Sequence, residues 1–413
     1  MLSEKLAAPL TAEDQQVQSM PDVSPTKWHL AHVTWFFETF VLRDFASDYA
    51  LFHPDFPFLF NSYYESAGPR HTRAERGLLT RPTIDEVLDY RHHVDDAIEK
   101  LFSAPPPNSI GRILELMTLG LNHEEQHQEL LLMDIKHVFS CNPLSPAYKA
   151  DPPETDHTGE KIKWLEVEGG IREIGHEGGG FAFDNEGPRH EVLLRDFRIA
   201  SRLVTNGEFL EFVEDGGYEQ PEHWFMDGIE TVRREKWRGP LYWRPEEGEP
   251  SEFTLNGLRP LDLDAPVCHV SYYEAAAYAS WAGKRLPSEA EWEAVAADKV
   301  TADSQADANV LGSGRLHPAP AKDNEEAARA RSNPVQIIGD VWEWTQSAYG
   351  SYPGFKPAAG AIGEYNGKFM ANQMVLRGGC CVTPDGHTRT TYRNFFYPHQ
   401  RWMFSGIRLA ADA

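Results

Sequence analysis

The sequence predicts a chain in two parts of different class, α followed by α+β. Three observations carry this expectation. Apolar residues recur at helical spacing through the first 140 residues, a polar proline-rich break follows Cys141, and from Trp164 onward glycine, aromatics and short segments dominate. The expected organisation is a helical bundle over 1–141, a linker over 142–163 and an α+β domain over 164–413. A length of 413 residues agrees, since one domain per roughly 150 residues suggests two or three.

Taken in order, Ser24-Pro25 reads as an N-cap with proline at the first helical position, opening a helix over 26–38. Helices over 83–102 and 110–139 follow by the same periodicity, and no internal repeat is present. Between the first two lies an irregular stretch, 51–82, rich in Phe, Tyr, Pro and Gly. A loop this long inside a compact domain is usually functional. In the second part, brief helices fit 271–282 and 288–297, and 301–330, rich in Ala, Asp and Glu, reads as a surface excursion.

Composition excludes several classes of function. With 39 basic and 63 acidic residues the net charge is −24, so phosphate backbones and anionic membranes are not expected partners. The four cysteines, Cys141, Cys268, Cys380 and Cys381, lack the spacing of a disulfide scaffold or zinc ribbon. No apolar run approaches the ~18 residues that span a bilayer, and the N-terminus has no secretory pattern. The expectation is a soluble, cytoplasmic protein.

Residues His123-Glu124-Glu125-Gln126-His127 match H-E-x-x-H, in which two histidines hold zinc and the glutamate activates water in a metalloprotease. On a helix at about 100° per residue, His123 and His127 lie about 40° apart and converge on one metal, whereas Glu129 points about 200° away from His127. The extended protease motif would need Gly and His where Leu130 and Met133 stand. A partner is offered by the first helix. His32 shares a face with Trp28, Trp35 and Phe36, while His29 lies about 60° to the side. Read alone, His32 also fits a buried core histidine with one hydrogen bond. Bundles, however, build metal sites from inward-facing residues on separate helices. His32, His123 and His127 would make a three-histidine set with open positions, suited to iron, copper, nickel or zinc; spacing does not choose among them.

These residues carry a resemblance. The helix W-H-L-A-H-x-x-W-F-F-E and H-x-x-Q-H-x-E resemble the DinB-like bundle of the ergothioneine-biosynthesis sulfoxide synthases. The second part resembles their formylglycine-generating-enzyme-like, C-type-lectin-like domain. Its marks are Val204-Thr205-Asn206-Gly207-Glu208-Phe209, the run from Gly283-Lys284-Arg285-Leu286-Pro287 to Trp292-Glu293, Gly339-Asp340-Val341-Trp342-Glu343-Trp344-Thr345, and Val375-Leu376-Arg377-Gly378-Gly379. Nearly the whole chain is covered, with several motifs in the family's order.

The resemblance implies non-haem Fe(II) on His32, His123 and His127, and it removes the need for Glu124 as a proteolytic base. Family enzymes use O2 to join the sulfur of cysteine or γ-glutamylcysteine to C2 of hercynine, the Nα-trimethylated histidine betaine, and oxidise that sulfur to the sulfoxide. Gly378-Gly379 is followed by Cys380-Cys381-Val382-Thr383-Pro384, which lacks the cysteine spacing of the formylglycine-generating enzymes. The second domain is therefore expected to be a binding wall. The γ-glutamylcysteine-using branch carries a catalytic tyrosine three residues before a second one; here Ile362 falls at the first position and Tyr365 at the second. The loop residues Tyr63 and Tyr64 instead resemble the tyrosine pair of the cysteine-using branch, as proton or electron donors, with ordinary aromatic packing the alternative.

By the same resemblance Arg70 and Arg73 match the pair that binds the thiol substrate, a role suited to guanidinium forks. Arg76 fits either that role or a surface pair with Glu65 or Glu75. For hercynine the resemblance points to Gln126, Asn394, Phe395 and Phe396, since a quaternary ammonium offers no N–H and is recognised by aromatic faces. The aspartate that helps hold a glutamyl amino group is replaced by Phe396. The expected reaction therefore takes L-cysteine, hercynine and O2. The alternatives are a selenium donor, γ-glutamylcysteine, or, in another class, an inactive lectin-like binding protein.

Overall fold

A computed structural model describes residues 1–150, 161–244, 249–301, 305–321, 333–358 and 361–413. The chain forms two compact units, Met1–Tyr148 with Pro357–Tyr365, and Lys149–Lys356 with Asn366–Ala413. The first unit thus incorporates a short segment from far along the chain.

That unit contains α1 (Leu2–Ala7), α2 (Thr26–Phe37), α3 (Arg43–Phe45), α4 (Phe56–Phe60), α5 (Ile84–Ser103) and α6 (Ile110–Ser140). Helix α2 packs on both α5 and α6, and every one of its residues is buried. A helix apolar all round belongs at the centre of a core. It also means that His29 and His32 are buried and need partners. The helix runs on into a π-helical turn, Glu38–Leu42. There the buried carboxylate of Glu38 accepts from the phenols of Tyr49 at 2.5 Å and Tyr90 at 2.6 Å.

Helix α6 approaches α2 closely because residue 120 is glycine. A Cβ there would meet the Phe37 ring at 2.4 Å and the Phe36 ring at 3.0 Å. This contact lies one turn before His123 and sets how near the two helices bring their histidines.

The expected cap of α2 is displaced by one residue: Pro25 is the N-cap and Thr26 the first helical residue. Ser24 does not cap because its hydroxyl accepts from Arg76 at 2.9 Å and its N–H donates to Asp134 at 2.8 Å. Helix α5 begins with a capping box between Thr83 and Glu86. The stretch expected to be irregular throughout contains α4 and two 3-10 turns, Glu65–Ala67 and Arg73–Leu78. Of the expected linker, residues 151–160 lie outside the described residues, while the Tyr148 hydroxyl donates to the Leu6 carbonyl at 2.7 Å.

The second unit contains β1 (Trp164–Val167), β2 (Gly170–Ile174), β3 (His190–Leu194), β4 (Phe197–Ala200), α7 (Asn206–Glu214), α8 (Met226–Glu235), β5 (Ser251–Thr254) and β6 (Gly257–Pro260). It continues through α9 (Tyr272–Trp281), α10 (Glu289–Lys299), β7 (Trp342–Ala348), β8 (Met374–Arg377), β9 (Asn394–Phe396), β10 (Ser405–Gly406) and β11 (Ala410–Asp412). The sheets are small: β1-β4-β11, β10-β7-β8-β9, and the ribbons β2-β3 and β5-β6. Helices α7, α9 and α10 each start with a capping box, at Thr205, Ser271 and Ser288. Buried ion pairs fasten strands to the rest of this unit. Arg408 meets Glu343 at 2.8 Å, and Arg377 meets Glu289 at 3.3 Å and also contacts Glu293.

The excursion expected over 301–330 is only partly described, with 302–304 and 322–330 outside the described residues. Its middle is not a surface segment. Residues 316–320 are buried, with the Ala319 N–H and the Asn309 amide both donating to Asp340 Oδ1, at 2.9 and 2.7 Å. These side chains satisfy backbone that a surface loop would leave to water. Among the described residues no helix is long and apolar enough to cross a membrane.

Candidate metal centre

Helices α2 and α6 bring His32, His123 and His127 together, with ring centroids 5.0 Å apart for His32–His123, 4.7 Å for His32–His127 and 4.6 Å for His123–His127. One ring nitrogen from each lies within 4.8 Å of the others. His32 is held flat between Trp28 at 4.6 Å and Trp35 at 5.4 Å, the residues at i−4 and i+3. Its Nδ1 donates to the Phe60 carbonyl at 2.6 Å. The lone pair therefore sits on Nε2, which is buried and has no hydrogen-bond partner, and neither ring nitrogen of His123 has one.

Burial lowers the pKa of all three. For His32 the shift is large, caused by desolvation and then by His123; His127 is shifted well down by desolvation, His123 and His32. His123 is lowered to about 3 by burial, with His29 adding to it. The set is thus three neutral imidazoles with converging lone pairs. Unmade hydrogen bonds in a buried site are costly, and a divalent cation would take up the unpaired lone pairs of His32 and His123 together. The donor set fits a borderline transition-metal ion with open positions.

Glu124 is committed elsewhere: its Oε1 accepts from Ser3 Oγ at 2.5 Å and from Arg91 at 2.8 Å. His29 is buried but lies beside the set, between His127 and Asp134.

The loop supplies tyrosines. Tyr64 is fully buried, its ring 5.5 Å from Trp35 and stacked on Tyr63 at 4.7 Å. Its hydroxyl makes no hydrogen bond of ordinary geometry, and burial, followed by Tyr63 and Tyr365, pushes its pKa well up. Asn61 shapes this turn by donating to the carbonyls of Tyr64 and Gly68, each at 3.0 Å.

Two residues that the sequence reading did not assign also arrive here. Tyr365 lies 5.7 Å from the His123 ring, 6.2 Å from Tyr63 and 6.4 Å from Tyr64, and its hydroxyl donates to Gln126. Glu364 accepts from the backbone N–H groups of Glu65 at 2.8 Å and Ser66 at 3.0 Å, and so fastens this segment to the loop. The side chain of Ile362 lies outside the described residues.

Of the three loop arginines, Arg70 pairs with Glu65 on the exposed side and Arg73 donates to the Asp22 carbonyl. Arg76 is the one brought to the histidines. It is 3 % exposed, its guanidinium lies 3.4 Å from the Trp28 ring, and it donates to Ser24 at 2.9 Å and Ser62 at 3.3 Å. Its Nε is buried without a partner, and burial followed by Arg73 lowers its pKa. It is not in a surface pair with Glu65 or Glu75.

Asn394, Phe395 and Phe396 form β9 of the second unit. Phe395 stacks on Tyr349 at 4.0 Å, Phe396 meets Trp402 edge-on at 5.5 Å, and Asn394 Oδ1 accepts the Phe395 N–H at 2.9 Å.

Comparison with known proteins agrees with this architecture. Residues 1–131 match the DinB superfamily and residues 149–413 the sulfatase-modifying factor enzyme 1-like domain. The chain is 32% identical over 406 residues to hercynine oxygenase of Mycobacterium tuberculosis, covering 95% of this chain and 92% of that one. It is 33% identical over 414 residues to hercynine oxygenase of Mycolicibacterium smegmatis, covering 96% and 92%. Ergothioneine biosynthesis protein 1 of Schizosaccharomyces pombe is 30% identical over 244 residues, 56% of this chain and 28% of that one. Fold and relatives together define an oxidoreductase made of a DinB-type bundle and a sulfatase-modifying-factor-like domain. The chain belongs to the hercynine oxygenase family.

Proposed function

We propose that the chain acts in ergothioneine biosynthesis as an Fe(II)-dependent sulfoxide synthase, joining the sulfur of L-cysteine to imidazole C2 of hercynine. The observation that carries this reading is the convergence of His32, His123 and His127 beside a cluster of tyrosines, with buried, partnerless nitrogens on His32 and His123. Bound there, Fe(II) would supply coordination positions for the thiolate, the imidazole and dioxygen, and the electron transfer that dioxygen requires. The balance is one thiol S–H and the hercynine C2–H lost, one C–S bond and one S=O formed, and one O2 consumed to give the sulfoxide oxygen and one water.

The protein's own groups would bind, orient and protonate. Arg76, a buried guanidinium with spare donor capacity at Nε, suits the cysteine carboxylate, alongside the expected Arg70 and Arg73. Gln126 sits on the helix of two of the histidines and is oriented by Tyr365. Tyr64 and Tyr365, with Tyr63 stacked on the first, would give protons to the oxygen partner. Asn394, Phe395 and Phe396 belong to the hercynine site on the strength of the resemblance.

A second reading, with γ-glutamylcysteine as donor, gains from Tyr365, which enters the cluster from the segment where that branch keeps its tyrosine. Against it, Phe396 offers no carboxylate to a glutamyl ammonium, and an unpartnered buried group costs about 1–3 kcal/mol. The test is oxygen consumption with saturating hercynine and each of L-cysteine, γ-glutamylcysteine and a selenium donor, with products read by mass spectrometry. L-cysteine should lead the dipeptide by about tenfold in kcat/KM, roughly 1.4 kcal/mol. Equal or better turnover of the dipeptide would reassign the donor, and no coupled product from any donor would overturn the activity.

A further inference from the structure

His29, which the reading above does not use, lies between His127 and Asp134. Its Nε2 is 3.0 Å from Asp134 Oδ2, and its Nδ1 is 2.8 Å from Nδ1 of His127. Both side chains of the His29–Asp134 pair are nearly closed to solvent, at 4% and 5% exposure. The same carboxylate oxygen accepts the Ser24 N–H at 2.8 Å.

Donor and acceptor chemistry leaves one consistent arrangement for neutral rings. An ionised carboxylate only accepts, so the proton of His29 is on Nε2 and its Nδ1 is a lone pair. That lone pair faces His127 Nδ1, which must then be the N–H donor. The lone pair of His127 is left on Nε2, free to join the nitrogens of His32 and His123.

The geometry follows from the same helix pair that builds the centre. On α2, His29 stands one turn before His32, and on α6, Asp134 stands two turns after His127. A second layer therefore runs beside the first. The three histidines differ in what lies behind them: a carbonyl for His32, no partner for His123, and an imidazole backed by a carboxylate for His127.

We infer that Asp134 and His29 are positioning residues for His127, a buried carboxylate–imidazole–imidazole chain that holds it as the Nδ1–H tautomer and strengthens Nε2 as a donor toward a divalent metal. The inference rests on the reading of His32, His123 and His127 as a metal centre. Outer partners of this kind fix ring orientation and raise ligand basicity, and their loss typically weakens metal affinity about 10–100-fold.

The test uses the full chain with 15N-labelled histidine, metal-free and loaded with Zn(II) as a diamagnetic probe. The His127 resonances should show a protonated Nδ1 in both states and a zinc-shifted Nε2 in the second. By chelator competition, His29→Leu should weaken Zn(II) binding about 10–100-fold. His29→Gln, whose amide keeps a donor for Asp134 and an acceptor for His127, should recover most of the loss. Circular dichroism checks that each variant folds. A proton on Nε2 of His127 in the wild type overturns the inference, as does wild-type zinc affinity in a folded His29→Leu. If His29→Leu does not fold, the wild-type tautomer and His29→Gln still decide. Failure of the wild type to take up zinc would instead count against the metal centre itself, and the metal-free spectrum would still test the chain.

Discussion

The phenol of Tyr365 donates a hydrogen bond to the side-chain oxygen of Gln126, the residue before His127. Replacing Tyr365 or Tyr64 with Phe removes only an O–H, so metal content should stay near wild type; substrate affinity should stay near wild type in Tyr64→Phe, while Tyr365→Phe also frees Gln126 and should weaken hercynine binding. Loss of a positioned proton donor typically slows a step by about 10²-fold or more. Sulfoxide formation should fall accordingly, with cysteine diverted toward sulfinate, and Tyr63→Phe should show a smaller diversion. Product ratios by mass spectrometry check this, and an unchanged ratio in all three variants returns the tyrosines to packing.

His32→Ala should lose most of the bound iron and all C–S bond formation, because two imidazoles hold a labile ion weakly. His29→Ala should keep the ion with reduced affinity. Iron per chain after desalting separates them, and the reverse order would show that the third ligand has been misassigned.

Arg76→Gln should raise the KM for the thiol substrate at least about tenfold, some 1.4 kcal/mol, with metal content unchanged. Arg70→Gln, at a residue paired with exposed Glu65, should have a smaller effect. Equal effects in steady-state kinetics would put the carboxylate nearer the loop surface.

Gly120→Ala places a methyl where the Phe37 ring now lies, 2.4 Å from the added carbon. Overpacking of this kind costs about 1–3 kcal/mol. Because α6 would be pushed from α2 one turn before His123, metal affinity should fall along with the thermal midpoint. A stability loss with full metal affinity would mean that the helices adjust elsewhere.

The metal-free protein should lose stability in acid from about pH 6.5 downward. The folded state holds His123 near 3 and His32 and His127 well below their ordinary value, whereas the unfolded chain takes up protons near 6.5. Stability is thus present above that pH and is lost as pH falls toward the folded values. Thermal melts between pH 7.5 and 5 check the sign; His123→Leu should flatten part of the slope.

Helices α2, α5 and α6 were legible because their periodicity is local, and α5, α9 and α10 each open on a local capping box. The face shared by His32, Trp28 and Trp35 was legible for the same reason. Ser24 was misread as a cap because its hydroxyl and N–H are claimed by Arg76 and Asp134, partners distant in sequence. Tyr365 was noted only as the second tyrosine position of the family motif, and its contact with Gln126 was not legible: 239 residues separate the two, and no spacing rule reaches that far. Arg76 differs from Arg70 and Arg73 only in burial, which depends on where the loop settles against Trp28. The turn bearing Tyr64 is set by Asn61 and clamped by Glu364, neither of which advertises itself by composition.

Glu364 and Tyr365 belong to the bundle's unit although they are encoded more than two hundred residues after its last helix. The two modules are therefore not free to be exchanged between genes at the junction near Tyr148. A recombinant that kept this bundle and took its downstream half from another ancestor would inherit a foreign clamp and a foreign phenol beside Gln126. Ancestral reconstruction should accordingly treat the 357–365 segment together with the first 148 residues.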